Sequence, residues 1–224
     1  MERFVPKFQG ADWPDGGARA LHVYAVPDLT AHPDLARLVG ECHEAMAGFP
    51  ITPMTGTLHC TIEMIADTTS DKITDTEREV LVDALHRHLA DVGPLQVTVG
   101  SPVANKAGGY LDLHPDGELV TLRQRVREAI SEVRGPGALV HTGGRPHISL
   151  GYAYDTASSD ALQTALRRIS PSHAPLRIAG VELLDVLWRQ QPRPGGGTAW
   201  ELSWEPVATI PLPGSTNTAA SQDA

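Results

Sequence analysis

Cysteine is nearly missing from this chain: Cys42 and Cys60 are its only two in 224 residues. That is too few for a disulfide framework, and their spacing is wrong for zinc. One falls in an expected helix and the other in an expected strand, so both are read as reduced and packed. Long apolar runs are missing too. No stretch of about 18 apolar residues offers a membrane span, and the opening "MERFVPKFQG" lacks the uninterrupted apolar segment of a signal peptide. A cytoplasmic protein with no membrane partner is therefore expected. Positive charge is also scarce, with 18 Lys and Arg against 27 Asp and Glu, a net charge of −9. Such a balance argues against a broad surface for long duplex nucleic acid, which works by neutralising many phosphates. One or two arginines in a cleft can still hold a single phosphate. What the chain does have is apolar material, 41% of residues, enough for one large domain or two small lobes with a real core.

Residues 1 to 19 mix proline, glycine and charge without a period and read as an irregular arm. "ALHVYAV" (20 to 26) alternates as a strand. A helix follows in which Leu35, Leu38, Val39, Cys42 and Met46 keep the 3,4,7 spacing, with Pro33 suited to its first turn. "FPITPMTG" stops it and leads into the strand "TLHCTIEMI" (57 to 65). Thr74 and Glu77 have capping-box spacing ahead of a helix striped by Leu81, Leu85 and Leu89. "LQVTVGSPV" and "GGYLDLH" read as paired strands, and a third helix runs from about Gly117 to Val133. The strand "RPHISLGYA" (145 to 153) is followed by a fourth helix near Ser158 to Ile169. Two last strands, "LRIAGVELLDVLW" and "TAWELSW", precede a small polar tail from Gly214 that is expected to be disordered. Each half thus repeats the same order of element types, which looks like a duplicated lobe. The expected fold is α+β: two pseudo-symmetric lobes over 20 to 213, each an antiparallel-rich sheet with helices on its outer face, flanking a central groove.

Two phrases stand at matching places in the halves. In a strand, side chains two apart share a face, so His59 points with Thr61 and His147 with Ser149. Leu58, Cys60, Ile62 and Met64 face the other way, as do Ile148 and Leu150. Chance explains part of this, since ten histidines among these residues give about 1.3 random His-x-Ser/Thr matches by independent counting. The added weight lies in context, because both matches sit in apolar strand-like runs at corresponding positions. An imidazole can serve as base or acid near neutral pH, and hydroxyls can donate to phosphate oxygens as an oxyanion hole does to developing charge. Two of each, face to face, suit in-line displacement at phosphorus with no metal and no cofactor.

"HCTI" (59 to 62) and "HISL" (147 to 150) resemble the two His-x-Thr/Ser tetrads of the 2H phosphoesterase superfamily, and the element order extends the resemblance over about residues 20 to 210. The branch most resembled is the bacterial RNA 2',5'-ligase and 2',3'-cyclic phosphodiesterase group. The resemblance implies that His59, Thr61, His147 and Ser149 form the site, that the two lobes flank a groove, and that the ligand is a small nucleotide or RNA terminus bearing a cyclic phosphate, with 2',5'-ligation as the reverse reaction. Two departures follow from the residues. Members of that branch often carry an arginine just after the second tetrad, where this chain has Tyr152 and Tyr154. Strict alternation sends both tyrosines to the face opposite His147, unless a bulge at Gly151 turns them. Glu63 continues the face of His59 and Thr61 and would repel phosphate there; its expected place is the strand's exit.

Arg145, just ahead of the second tetrad, and Tyr152 are the further candidates for contacting substrate. Arg189 and Arg193 read as surface charge beside the loop "RQQPRPGGG". The pair His86 and His88 is dismissed as a metal site because helical residues two apart diverge by about 200°. "RPGGGT" (193 to 198) reads as a turn, and Trp200 and Trp204 as core. His147 is taken as the base and His59 as the acid, in a monomer. The alternative reading is a nucleotide or RNA-end binding protein that keeps the groove without turnover. A different chemistry, such as that of a cyclase or esterase in a biosynthetic pathway, is a third.

Overall fold

The structure is a computed structural model and describes residues 1–14, 17–140, 144–193 and 197–213. The tail from Gly214 and residues 194–196 within "RPGGGT", read above as disordered and as part of a turn, lie outside the described residues. In chain order the elements are β1 (Lys7–Phe8), β2 (Ala11–Asp12), β3 (Ala18–Ala25), α1 (Pro33–Met46), β4 (Ile51–Pro53), β5 (Cys60–Met64), α2 (Asp75–Leu89), β6 (Leu95–Ala104), β7 (Gly108–His114), α3 (Gly117–Arg134), β8 (His147–Ala153), α4 (Ser159–Leu166), β9 (His173–Ile178), β10 (Gly180–Pro192) and β11 (Thr198–Pro211).

The helices form where the period placed them. Leu35, Leu38, Val39, Cys42 and Met46 are the buried face of α1, which opens on Pro33. Each fully buried side chain of this kind contributes roughly 1.5–3 kcal/mol by leaving water. The capping box of α2 is complete: Thr74 accepts from the Glu77 amide, and the Glu77 side chain accepts from the Thr74 amide. Both cysteines are free and buried.

Nine strands make one antiparallel sheet in the order β11-β10-β3-β5-β8-β7-β6-β9, with β4 paired to β8. Two lobes meet at its middle. One is β11, β10, β3 and β5, covered by α2 and α3; the other is β8, β7, β6 and β9 with β4, covered by α1 and α4. The helices share one apolar core along the sheet, running from Leu21 and Leu35 through Ile148 to Leu212. The lobes are pseudo-symmetric, but they are not the two halves of the sequence. The first takes β3, β5 and α2 from the N-terminal half and α3, β10 and β11 from the C-terminal half, while α1 crosses to the second. An order of element types repeats along the chain without saying which strand pairs with which.

Two other features differ from the sequence reading. "LRIAGVELLDVLW" is not one strand. It divides after Ile178, and β9 ends up at the edge of the second lobe beside β6 while β10 lies between β3 and β11. Apolar content is continuous across the break, so composition does not mark it. The stretch taken only as a helix stop contains β4, whose Pro53 is tolerated because β4 pairs on one side alone, with β8.

The arm is ordered by packing. Its β1 and β2 form a hairpin of two-residue strands. Phe8 and Trp13 are buried, with Phe4 and Val5 beside them, against Tyr24, Met64, Leu184, Val186, Trp188 and Trp200. This second apolar cluster lies on the sheet face away from the helices. The arm also ties into the second lobe, where the Phe4 amide donates to the Ala153 carbonyl at 2.8 Å.

Candidate active site

The lobes join at one registered pair between β5 and β8, Cys60 opposite Ile148. Extending that antiparallel register by one residue each way sets His59 opposite Ser149 and Thr61 opposite His147. Residues two apart on a strand are ~6.5–7 Å apart, and opposed residues ~4.5–5.5 Å. The four side chains therefore occupy the corners of a small rectangle, with imidazoles at one diagonal and hydroxyls at the other. Cys60 and Ile148, between them, point into the helix-covered core.

Each imidazole is held in the same way. His59 Nδ1 lies 2.8 Å from the Thr57 carbonyl and His147 Nδ1 lies 2.8 Å from the Arg145 carbonyl, in both cases two residues back. A carbonyl only accepts, so each Nδ1 carries the proton. In the neutral ring Nε2 is then the basic nitrogen.

The two environments differ. His147 is exposed, with the Tyr110 ring edge-on at 5.5 Å. His59 is 4% exposed; it stacks on Tyr24 at 3.9 Å and 13°, and meets the edge of Trp204 at 5.7 Å. Burial pushes its pKa down to about 4, with the Thr57 carbonyl pulling upward and nearby His147 adding a smaller downward push. Between about pH 4 and the ordinary imidazole value of 6.5 an unfolded chain protonates His59 and the folded one does not. Folding stability therefore rises with pH across that window. Lowering pH from 7 to 4 should cost the wild type about 3 kcal/mol more than His59→Phe, which keeps the stacked ring but does not titrate. Urea unfolding of both proteins across the range checks this; parallel curves would rule it out.

Each tetrad strand carries a bulge just past its hydroxyl. On β5, Thr61 pairs with Tyr24 and Glu63 with Val23, so Ile62 is the extra residue. On β8, Ser149 pairs with Tyr110 and Gly151 with Gly109, so Leu150 is extra. A bulge shifts the phase of alternation by one. Two sequence expectations change as a result. Glu63 is neither in the groove nor at the strand's exit. It turns to the helix side, fully buried, where Arg123 reaches its Oε2 at 3.1 Å and Arg127 bonds the same oxygen. Tyr152 turns the other way, onto the face of Ser149, and its hydroxyl donates to Ser149 Oγ at 3.0 Å. Gly151 is needed between them, since a Cβ there would stand 2.6 Å from the Thr52 carbonyl and 2.7 Å from Ile51.

The remaining candidates divide. Thr61 is half-buried beside Tyr24, and Ser149 is buried. Arg145 is exposed, with its guanidinium 3.4 Å from Asp112 of β7. Arg193 lies over the Tyr154 ring at 4.6 Å and Arg189 is exposed. His88 pairs with Glu132 at 2.7 Å. Among the described residues no three His, Cys, Asp or Glu side chains are grouped to hold a metal ion, and no helix is long and apolar enough to cross a membrane. Sequence reasoning missed Tyr24, Tyr110 and Trp204, which come from β3, β7 and β11 to flank the imidazoles. Trp204, taken as core, is half-buried against His59 and Tyr24. Aromatic residues in alternating strands carry the same signature whether they pack or line a site.

Two cavities adjoin the rectangle. One of about 310 Å³ is lined by Thr52, Met54, Thr57, Tyr152, Trp200 and Leu202 among others, and one of about 100 Å³ by Thr61, Arg123, Arg145 and His147 among others.

Comparison with known proteins bears on the family and the fold. Residues 57–190 match the family model described as the 2'-5' RNA ligase superfamily. No curated protein sequence matches the chain. Among solved structures, TT0787 of Thermus thermophilus superposes with a TM-score of 0.59 at 16% identity, covering 87% of this chain and 98% of that one. Escherichia coli LigT complexed with NADP+ gives 0.54 at 11% identity over 88% and 99%, and LigT complexed with 3'-AMP gives 0.54 at 11% over 87% and 98%. At these identities the likeness is one of fold.

Proposed function

Since the chain belongs to the 2'-5' RNA ligase superfamily of 2H phosphoesterases, we propose that it is a metal-independent phosphodiesterase opening 2',3'-cyclic phosphates on small nucleotides or RNA ends. The observation that carries the reading is the register that places two Nδ1-anchored imidazoles and two hydroxyls at alternate corners of one rectangle. LigT structures hold 3'-AMP and NADP+, and a cavity of about 310 Å³ beside Tyr152 is at the lower end of what a small ligand occupies.

In this mechanism a water attacks phosphorus in line with one ribose oxygen. Its proton passes to one imidazole Nε2 as the P–O bond forms. The other imidazole gives its Nε2 proton to the ribose oxygen as that P–O bond breaks, and solvent exchange restores both rings. Thr61 and Ser149 donate to the non-bridging oxygens, where charge gathers. Burial keeps His59 neutral at pH 7, which suits it to be the base and the exposed His147 to be the acid, the reverse of the assignment drawn from sequence. With the 5'-hydroxyl of a second RNA attacking phosphorus in place of water, and the 3'-oxygen leaving with the proton from the acid, the same site would give 2',5'-ligation.

Purified protein in EDTA is expected to convert nucleoside 2',3'-cyclic monophosphates, and a short RNA ending in a cyclic phosphate, to monoesters. A His59→Ala/His147→Ala protein is expected to convert neither. The rate should form a bell in pH, its acid limb falling as pH drops through about 4 when His59 takes up a proton. Strict dependence on added Mg²⁺ or Zn²⁺ would sink the mechanism. Tight binding of a cyclic nucleotide with no product over hours would favour a binding protein using the same groove.

A further inference from the structure

The second tetrad has a partner with no place in the mechanism above. The Tyr152 hydroxyl donates to Ser149 Oγ at 3.0 Å, and it does so only because the extra residue Leu150 turns Tyr152 onto the groove face. The tyrosine ring is clamped, stacked on Phe4 at 4.0 Å and 18° and edge-on to Trp188 at 5.4 Å. A serine hydroxyl has one hydrogen and two lone pairs, and it rotates to suit its neighbours. With one lone pair taken by a fixed donor, the rotor is held and its own hydrogen is directed elsewhere. The first lobe repeats the arrangement in outline. Tyr24 stands opposite Thr61 in the β3/β5 register, and it also stacks on His59.

Resting on the phosphodiesterase reading, the geometry points to Tyr152 as a positioning residue that orients the Ser149 hydroxyl so that its hydrogen meets a non-bridging phosphate oxygen. Tyr152 itself touches no reacting atom in this role. Burial raises the pKa of both Tyr152 and Tyr24 above the ordinary phenol range. Tyr152 therefore remains a protonated donor throughout the working range of the two imidazoles. The arm takes part at one remove, because Phe4 forms one side of the clamp.

The test is a double-mutant cycle on the full chain, comparing wild type, Tyr152→Phe, Ser149→Ala and the double variant. Phenylalanine keeps the stacking on Phe4 and removes only the hydroxyl. With 2',3'-cyclic AMP in EDTA, Tyr152→Phe is expected to lower kcat about threefold to tenfold, the effect of one hydrogen bond, with KM and melting temperature little changed. In the Ser149→Ala background the same change should do nothing further. An equal loss in both backgrounds, or no loss in either, would overturn the assignment, because Tyr152 would then act without Ser149 or not at all. If the wild type turns over no cyclic nucleotide, it is the phosphodiesterase reading that fails. The cycle is then run on calorimetric affinity for inorganic phosphate. Coupling between the two positions upholds the positioning role, and additivity or the absence of phosphate binding by the wild type overturns it.

Discussion

Alanine in place of His59 or His147 is expected to lower turnover of a 2',3'-cyclic nucleotide by about 10²–10⁴, the usual contribution of a general acid or base. The two variants should differ in how they fail. His147→Ala removes an exposed ring anchored through Nδ1 to the Arg145 carbonyl, so its melting temperature should stay close to that of the wild type. His59→Ala removes a ring packed against Tyr24 and Trp204 and leaves a cavity, so it should lose stability as well as rate. Rates measured at saturating substrate, on samples shown to be folded by circular dichroism, separate the two effects. Losing both histidines together should cost little more than losing the worse one, since groups acting on one transition state are not additive. A loss below tenfold in each single variant would show that the pair does not carry the chemistry.

A large effect on stability is expected on the helix-covered side of β5. The Arg123→Ala/Arg127→Ala protein strips both guanidinium partners from Glu63, whose side chain is 0% exposed. An unpaired buried carboxylate costs about 3–5 kcal/mol, which for a chain of this size lowers Tm by roughly 6–20 °C. The loss should be reversed in part by adding Glu63→Met, because an apolar side chain of similar length needs no partner there. Calorimetric melting of the wild type, the double and the triple variant decides it. If the double variant melts with the wild type, Glu63 is not held by these arginines. The consequence reaches the site, since Glu63 anchors β5 two residues beyond Thr61, and its other oxygen, Oε1, accepts from the Met64 amide at 3.0 Å.

Most of the helices and the two histidine strands are legible from local rules. The stripe of α1 and the capping box of α2 depend on residues three or four apart, and both form as read. The pairing of His59 with Thr61, and of His147 with Ser149, needs only the two-residue period of a strand. That period holds as far as each hydroxyl and fails at the next step. The bulges at Ile62 and Leu150 are invisible to alternation, which puts Glu63 on the groove face and Tyr152 away from it, each the wrong way round. Gly151 is the one local mark of a place where Tyr152 could turn. For Glu63 the missing signal is Arg123 and Arg127, one helical turn apart on α3 and sixty or more residues away in sequence.

What the chain's own sequence determined is the chemistry available: two imidazoles, two hydroxyls, and apolar backs that commit their strands to one orientation. Those properties follow from side-chain type and from spacings of two to four residues, over which backbone geometry is nearly fixed. The tertiary structure alone decided that the two phrases lie in register across one strand pair, that His59 is buried while its counterpart is exposed, and that the arm covers the first lobe's open face and clamps Tyr152. Each of these depends on residues brought together from distant parts of the chain. They are fixed by the competition to bury the whole apolar surface at once, a quantity that no local stretch contains.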